Sequence, residues 1–155
     1  MTEFPRDEIE AAHDRYLKTR DAIQAGQLKW DALANHFTED ATFIDPAWGR
    51  MKGIANMREF FLKSMSGLED WSFPHDWRVI DGNRLVAGWK NRLPGKRADG
   101  TYYEAQGLSV MIYAGDGRFS YEEDLLNMVH IFQLIAESGW KPGPKVNMPP
   151  QRPPR

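Results

Sequence analysis

The chain has no cysteine. Disulfides, thiolate nucleophiles and cysteine-ligated zinc are therefore excluded. Long apolar runs are also missing: no stretch approaches the roughly 20 residues a membrane span requires. The start, Met1-Thr2-Glu3-Phe4-Pro5-Arg6-Asp7-Glu8, lacks the apolar centre of a secretory leader, so a soluble cytoplasmic protein with no membrane partner is expected. Neither sign of charge dominates. The formal net charge is −2 over 155 residues, which argues against a nucleic-acid binder. No His-x-x-x-His spacing occurs, so a metal site is not expected. No glycine loop suited to cradling phosphate is present either; Gly115-Asp116-Gly117 reads as a hairpin turn.

Aromatic residues and methionine are plentiful: six Trp, eight Phe, five Tyr and seven Met. They are enough for a cupped core or an apolar pocket within one domain, residues 1–139. The remainder, 140–155, holds six of the ten prolines together with Lys141, Lys145, Arg152 and Arg155 and no acid. That composition predicts an extended or disordered tail, either solvated or lying along the acidic body or a partner subunit.

Within the domain, Ile9, Ala12, His13, Tyr16, Arg20 and Ile23 recur at helical spacing, predicting a helix from Pro5 to Ala25 that Gly26 ends. Trp30, Leu33, Ala34 and Phe37 predict a shorter second helix. Ala41 to Asp45 reads as a strand. Ile54, Met57, Phe60, Phe61 and Met65 form the stripe of a helix from Gly53 to about Ser66. Trp71–Ile80, Leu85–Leu93, Thr101–Tyr113 and Arg118–Asp124 then read as strands joined by glycine turns, with a basic turn at Pro94–Gly100. Leu125 to Ser138 is apolar almost all round and predicts a final helix buried on more than one side. Helices followed by a meander of hairpins imply an α+β domain with an antiparallel sheet.

Asp45 follows the apolar pair Phe43-Ile44 and precedes Pro46. Asp-Pro commonly starts a turn. A carboxylate at a strand end between helices is also placed for partial burial, which raises its pKa and lets it move protons near neutrality. Arg15-Tyr16-Leu17, the run Phe37-Thr38-Glu39-Asp40-Ala41-Thr42-Phe43-Ile44-Asp45-Pro46, Gly53, Met57-Arg58-Glu59-Phe60-Phe61 and the Gly115-Asp116-Gly117-Arg118 turn together resemble the NTF2-like superfamily, and within it the ketosteroid isomerases and SnoaL-like polyketide cyclases. The resemblance implies an α+β cone: a curved sheet around a helix, an apolar pocket open at one end, and often a homodimer through the convex sheet face. It implies a cofactor-independent isomerase or cyclase acting through an enolate on a steroid-, polyketide- or terpenoid-like molecule. Asp45 would be the general base and Tyr16 an oxyanion donor. The position of the family's protonated aspartate is Ser109, a weaker donor.

Strand parity, matched from the same turn, puts Arg118, Ser120, Glu122 and Asp124 on the inner face and Phe119, Tyr121, Glu123 and Leu125 on the other. Inward acids need pairing, hydrogen bonds or neutralisation. Asp124 is thus a third catalytic candidate and Glu122 a substrate-binding one, with Lys90, Arg92 and Arg20 as basic partners. Such a set resembles limonene-epoxide hydrolases, which activate water. A histidine–aspartate pair, His75 or His13 with Asp45, would resemble scytalone dehydratase. Ser109, Trp48, Phe61, Met111 and Trp89 complete the expected substrate-binding residues. A non-catalytic binding or assembly module is the further alternative, favoured if the cone is filled by side chains.

Overall fold

The computed structural model describes residues 3–151. The periodic stripe folds as α1 (Arg6–Gln24), and Ile9, Ala12, His13, Tyr16, Arg20 and Ile23 are its buried residues. A 3-10 helix (Trp30–His36) follows and leads directly into β1 (Phe37–Asp45), then β2 (Gly49–Lys52). Gly53, at φ 84°, takes a conformation costly for any residue with a Cβ and opens α2 (Ile54–Met65). The meander consists of β3 (His75–Asp81), β4 (Arg84–Lys96), β5 (Tyr102–Gly115) and β6 (Arg118–Leu126), and α3 (Met128–Ser138) closes the domain.

The six strands form one sheet in the order β2-β1-β6-β5-β4-β3. It is mixed rather than antiparallel. β1 lies parallel to β6, because the helical excursion returns the chain beside β6 in the same direction. The short strand β2, not anticipated, pairs back on β1 with Asp45 opposite Gly49. β6 also departs from unbroken alternation. Ile112 faces Tyr121 while Tyr113 faces Phe119, which leaves Ser120 as an extra residue. This bulge reverses the parity, so Phe119 is buried as well as Glu122. Beyond it, Glu122 and Asp124 sit opposite Met111 and Ser109.

Two apolar clusters fill the concave side. One joins α1, α2 and the sheet through Ile9, Tyr16, Phe37, Phe43, Met57, Phe60 and Phe119. The other joins Trp71, Leu93 and Ala105 to Ile131 and Leu134 of α3. The final helix starts later than its apolar run suggests. The strand runs on to Leu126, and the Asn127 side chain accepts the His130 N–H at 3.1 Å, capping the helix. It is not buried on several sides: Val129 is 69% and Phe132 62% exposed, because α3 lies across the open end of the cone with only one face on the core. The tail is extended and docks on the end of α2. Ser66 Oγ donates to the Lys145 carbonyl at 2.8 Å, and Asn147 Nδ2 donates to the Lys63 carbonyl at 2.9 Å. Arg152 and Arg155 lie outside the described residues. Among the described residues, no helix is long and apolar enough to cross a membrane.

Candidate active site

Between the two clusters lies a cavity of about 290 Å³. That is close to the lower end of the roughly 300–1,000 Å³ usual for small-molecule sites. Tyr16, Asp45, Trp48, Phe61, Trp89, Ser109, Glu122 and Asp124 all line it. Met111, expected beside them, does not; it is packed in the core behind Glu122 with no exposed surface. Sequence reading does not single out Asn91, which lines the wall two residues beyond Trp89. A signal for it exists, since residues two apart on a strand share a face. The mouth holds Phe132 and Met148, both exposed, and Val146 of the tail also contributes to the lining.

The floor is a chain of polar groups converging on one carboxylate. Trp89 packs its indole flat over Gly107, where a Cβ would approach ring carbons to 2.6 Å. So held, its Nε1 donates to Ser109 Oγ at 3.0 Å. Ser109 Oγ in turn donates to Asp124 Oδ1 at 2.5 Å. From the other side, Tyr16 on α1 donates its hydroxyl to Glu122 Oε1 at 3.1 Å. Glu122 is 1% exposed, and its Oε2 receives no hydrogen bond from a conventional donor. Burial, then the charge of Asp124, push the Glu122 pKa well above the carboxylate range. The proton it therefore carries is one it can share with Asp124. Burial also raises Asp124, to about 6, against the Ser109 hydrogen bond that holds it down. The two acids therefore titrate as a pair, and burial disfavours their both being ionised. Tyr16 is raised well above its ordinary value by burial and by these carboxyls, so it stays a donor.

Asp45 stands apart from this relay. Its Oδ1 accepts the backbone N–H groups of Ala47 and Trp48, each at 2.8 Å. It is at once a turn residue and a cavity residue. Burial raises its pKa and the two N–H groups oppose the rise. Its charge is felt at Asp124.

Several expected pairings do not form. Lys90 and Arg92 face outward, because Trp89 and Asn91 take the inward positions of β4. Lys90 lies 3.6 Å from Asp76 and Arg92 2.7 Å from Glu104. Neither His13 nor His75 lines the cavity or reaches Asp45. His13 stacks on Tyr16 and meets His75 edge-on behind the cavity wall. Burial, with the charges of His75, Arg78 and Arg20, lowers its pKa to about 3. Glu10 and His13 stand at Glu-x-x-His spacing, but Glu10 pairs with Arg6 on the exposed side. Among the described residues, no group of three or more His, Asp or Glu side chains is arranged to hold a metal ion. Tyr16 and Ser109, expected as donors to a ligand oxyanion, are committed to carboxyl oxygens instead.

A curved mixed sheet cupping a helix around an interior cavity defines an NTF2-like fold. The sequence profile of the SnoaL-like domain matches residues 15–122, and the chain belongs to that family. Solved structures agree on the fold. A protein from Jannaschia sp. CCS1 classed as a SnoaL-like polyketide cyclase is 12% identical with a TM-score of 0.64, covering 88% of this chain and 98% of that one. A limonene-epoxide-hydrolase-like epoxide hydrolase from M. tuberculosis is 13% identical with a TM-score of 0.62, over 84% and 91%. TerC, co-crystallised with polyporic acid, is 20% identical with a TM-score of 0.58, over 83% and 98%. Among curated proteins, none matches this chain in sequence.

Proposed function

We propose that this protein is a cofactor-independent enzyme that moves protons on a small, largely apolar carbonyl compound, as an isomerase or cyclase. The observation that carries this reading is the convergence of the floor on Asp124: Ser109 and, through Glu122, Tyr16 direct their protons toward it. A carboxylate with a pKa of about 6 in an aromatic cup is a base suited to neutral pH. Asp124 takes a proton from the carbon beside the carbonyl, and the electron pair moves into an enolate. Returning the proton to another carbon completes an isomerisation. Attack of the enolate carbon on a second carbonyl, followed by protonation of the new alkoxide, completes a cyclisation. Asp45, which shares the cavity and the field at Asp124, is the second carboxylate available to receive or return a proton.

The test is deuterium wash-in at the α-carbon of aryl β-diketones and cyclic enones in D2O, followed by proton NMR. Asp124→Asn should lower the exchange rate by a factor on the order of 10³, in the range that removing a general base commonly produces. Asp45→Asn should lower it less. Full exchange by folded Asp124→Asn would sink the assignment.

Hydrolysis of an epoxide is the second reading, because Glu122, Asp124 and Arg20 share one cavity. It ranks lower because Arg20 forms no ion pair with either acid among the described residues. Labelled oxygen entering a diol product from water would reverse that ranking. We also propose that the convex sheet face, where Trp77 and Val79 are exposed, pairs with a second copy of the chain. Sedimentation should then give a dimer that Val79→Lys weakens.

A further inference from the structure

Arg20 and Asn91 are two buried polar residues of the cavity that the proton relay does not use. Arg20 comes from α1, one turn beyond Tyr16, and is 9% exposed. Asn91 comes from β4 and is 5% exposed. Both line the cavity, and among the described residues neither side chain makes a hydrogen bond or ion pair. The contrast with other arginines is plain: Arg58, Arg78, Arg92 and Arg97 each donate to a carbonyl or a carboxylate. A guanidinium taken out of water without acceptors is left uncompensated. A ligand that displaces solvent from this cavity must therefore supply acceptors there, or binding forfeits the solvation of a cation. Among the described residues, neither Asp124 nor Asp45 forms an ion pair with Arg20; Ser109 donates to Asp124 Oδ1, and the Ala47 and Trp48 N–H groups donate to Asp45 Oδ1.

We propose that Arg20 and Asn91 form an anion-recognition pole, and that the ligand is an aromatic-sized apolar molecule carrying an acidic oxygen group, a carboxylate or an ionised enol. Guanidinium is the side chain whose planar fork meets two such oxygens, and it keeps its charge at any working pH. The carboxamide of Asn91 offers a further neutral donor. Trp30, Phe43, Phe60, Trp71 and Trp89 supply flat walls for the ring system. The placement deepens the proton-transfer reading, and rests on it for what happens next: a molecule anchored at Arg20 sets its neighbouring carbon toward Asp124. The charges of Arg20 and Asp45 both act on Asp124, in opposite directions.

The experiment measures binding, not turnover. Tryptophan fluorescence and calorimetry would compare 2-naphthoate with 2-naphthamide, and 2-hydroxy-1,4-naphthoquinone with its 2-methoxy ether. The anion of at least one pair should bind the wild type about tenfold tighter than its neutral match, the ratio that one well-formed ionic contact of roughly 1.4 kcal/mol gives. The pair that shows the preference tells carboxylate from enol. Arg20→Gln should bring the ratio within about twofold while leaving the neutral ligand's affinity unchanged, and Arg20→Lys should keep part of it. Equal affinity within both pairs in the wild type, or a preference that survives Arg20→Gln, overturns the proposal. If Arg20→Gln does not fold, Arg20→Lys and Asn91→Leu must each lower the ratio, and failure to do so has the same force. Asp124→Asn separates the two readings. It should lower exchange by the factor given above yet preserve or strengthen the anion preference, so either reading can fail while the other stands.

Discussion

The two faces of strands β3 to β6 treat their acids in opposite ways. On the outer face, Asp76 and Glu104 meet Lys90 and Arg92 in partly exposed ion pairs. On the inner face, Glu122 and Asp124 of β6 form no ion pair among the described residues; they meet Tyr16, Ser109 and each other, with the charge of Arg20 acting on Asp124 within the cavity. Ionisation is easy outside, where water and counter-charge share the work, and exposed pairs of that kind contribute about 0–1 kcal/mol. Inside, ionisation of one acid forbids that of its neighbour. The inner face therefore holds a carboxyl that burial pushes up to about 6. The difference arises from the alternation of a strand, and it is open to experiment at each position.

The largest effect should come from removing the charge at Asp124 while keeping its shape. Burial raises its pKa from 3.8 to about 6. A carboxyl raised in the folded state stabilises the fold while protonated; that contribution is complete below the unfolded value and is lost as pH rises through the folded one. The loss thus falls between about pH 4 and 7 and amounts to on the order of 3 kcal/mol at roughly 1.4 kcal/mol per pH unit. Asp124→Asn accepts the same Ser109 hydrogen bond without the charge. It should therefore be more stable than wild type at pH 8 and nearly matched at pH 4, while losing exchange activity. Urea melts at the two pH values measure this. A variant destabilised more at pH 8 than at pH 4 would mean that Asp124 is not the strained charge of the floor. The groups facing it that set the midpoint are Glu122, Asp45, Arg20 and Ser109.

Much of this floor is legible in the sequence alone. Helical periodicity names the buried face of α1, Tyr16 and Arg20 included, because a single helix against a sheet obeys a 3.6-residue rule with no outside information. Strand parity brings Glu122 and Asp124 inward for the same kind of reason. The failures also have physical causes. Parity cannot foresee the bulge at Ser120, which depends on how β6 must bend between β1 and β5. Nor can it say how the two acids are pushed upward in pKa, since that follows from their burial in the cup beside each other. Trp89 and Ser109 are twenty positions apart and meet only through the β4–β5 register, so their hydrogen bond is invisible in the sequence. The all-round apolar pattern of α3 suggests deep burial, but part of it lines a cavity mouth.

A smaller and more specific effect is expected at Ser109. Its hydroxyl accepts from Trp89 and donates to Asp124. Ser109→Ala removes a donor to the ionised carboxylate, so the pKa of Asp124 should rise further. A charge-assisted bond contributes about 1.5–3 kcal/mol, and the midpoint of the pH–rate profile should therefore move upward by on the order of one pH unit. The indole N–H also loses its acceptor, which should destabilise the fold by roughly 1–3 kcal/mol. A stability loss with an unmoved midpoint would show that Ser109 only supports Trp89 and does not set the charge of Asp124.

The smallest effect tests the outer face. Lys90 lies 3.6 Å from Asp76 and donates to Gln106 Oε1 at 3.1 Å, and its side chain retains about a third of its exposure. Lys90→Ala should change stability by no more than about 0.5–1 kcal/mol, less at high salt because solvent ions screen an exposed pair. It should leave the activity midpoint where wild type has it, since its side chain points away from the cavity and its field reaches Asp124 only through the sheet. Coincident pH–rate curves at low and high ionic strength would confirm that the outer charges do not tune the inner pair. A displaced midpoint would show instead that the sheet transmits the outer field, and the separation of the two faces, on which the assignment of Asp124 as an isolated titrating base depends, would fail.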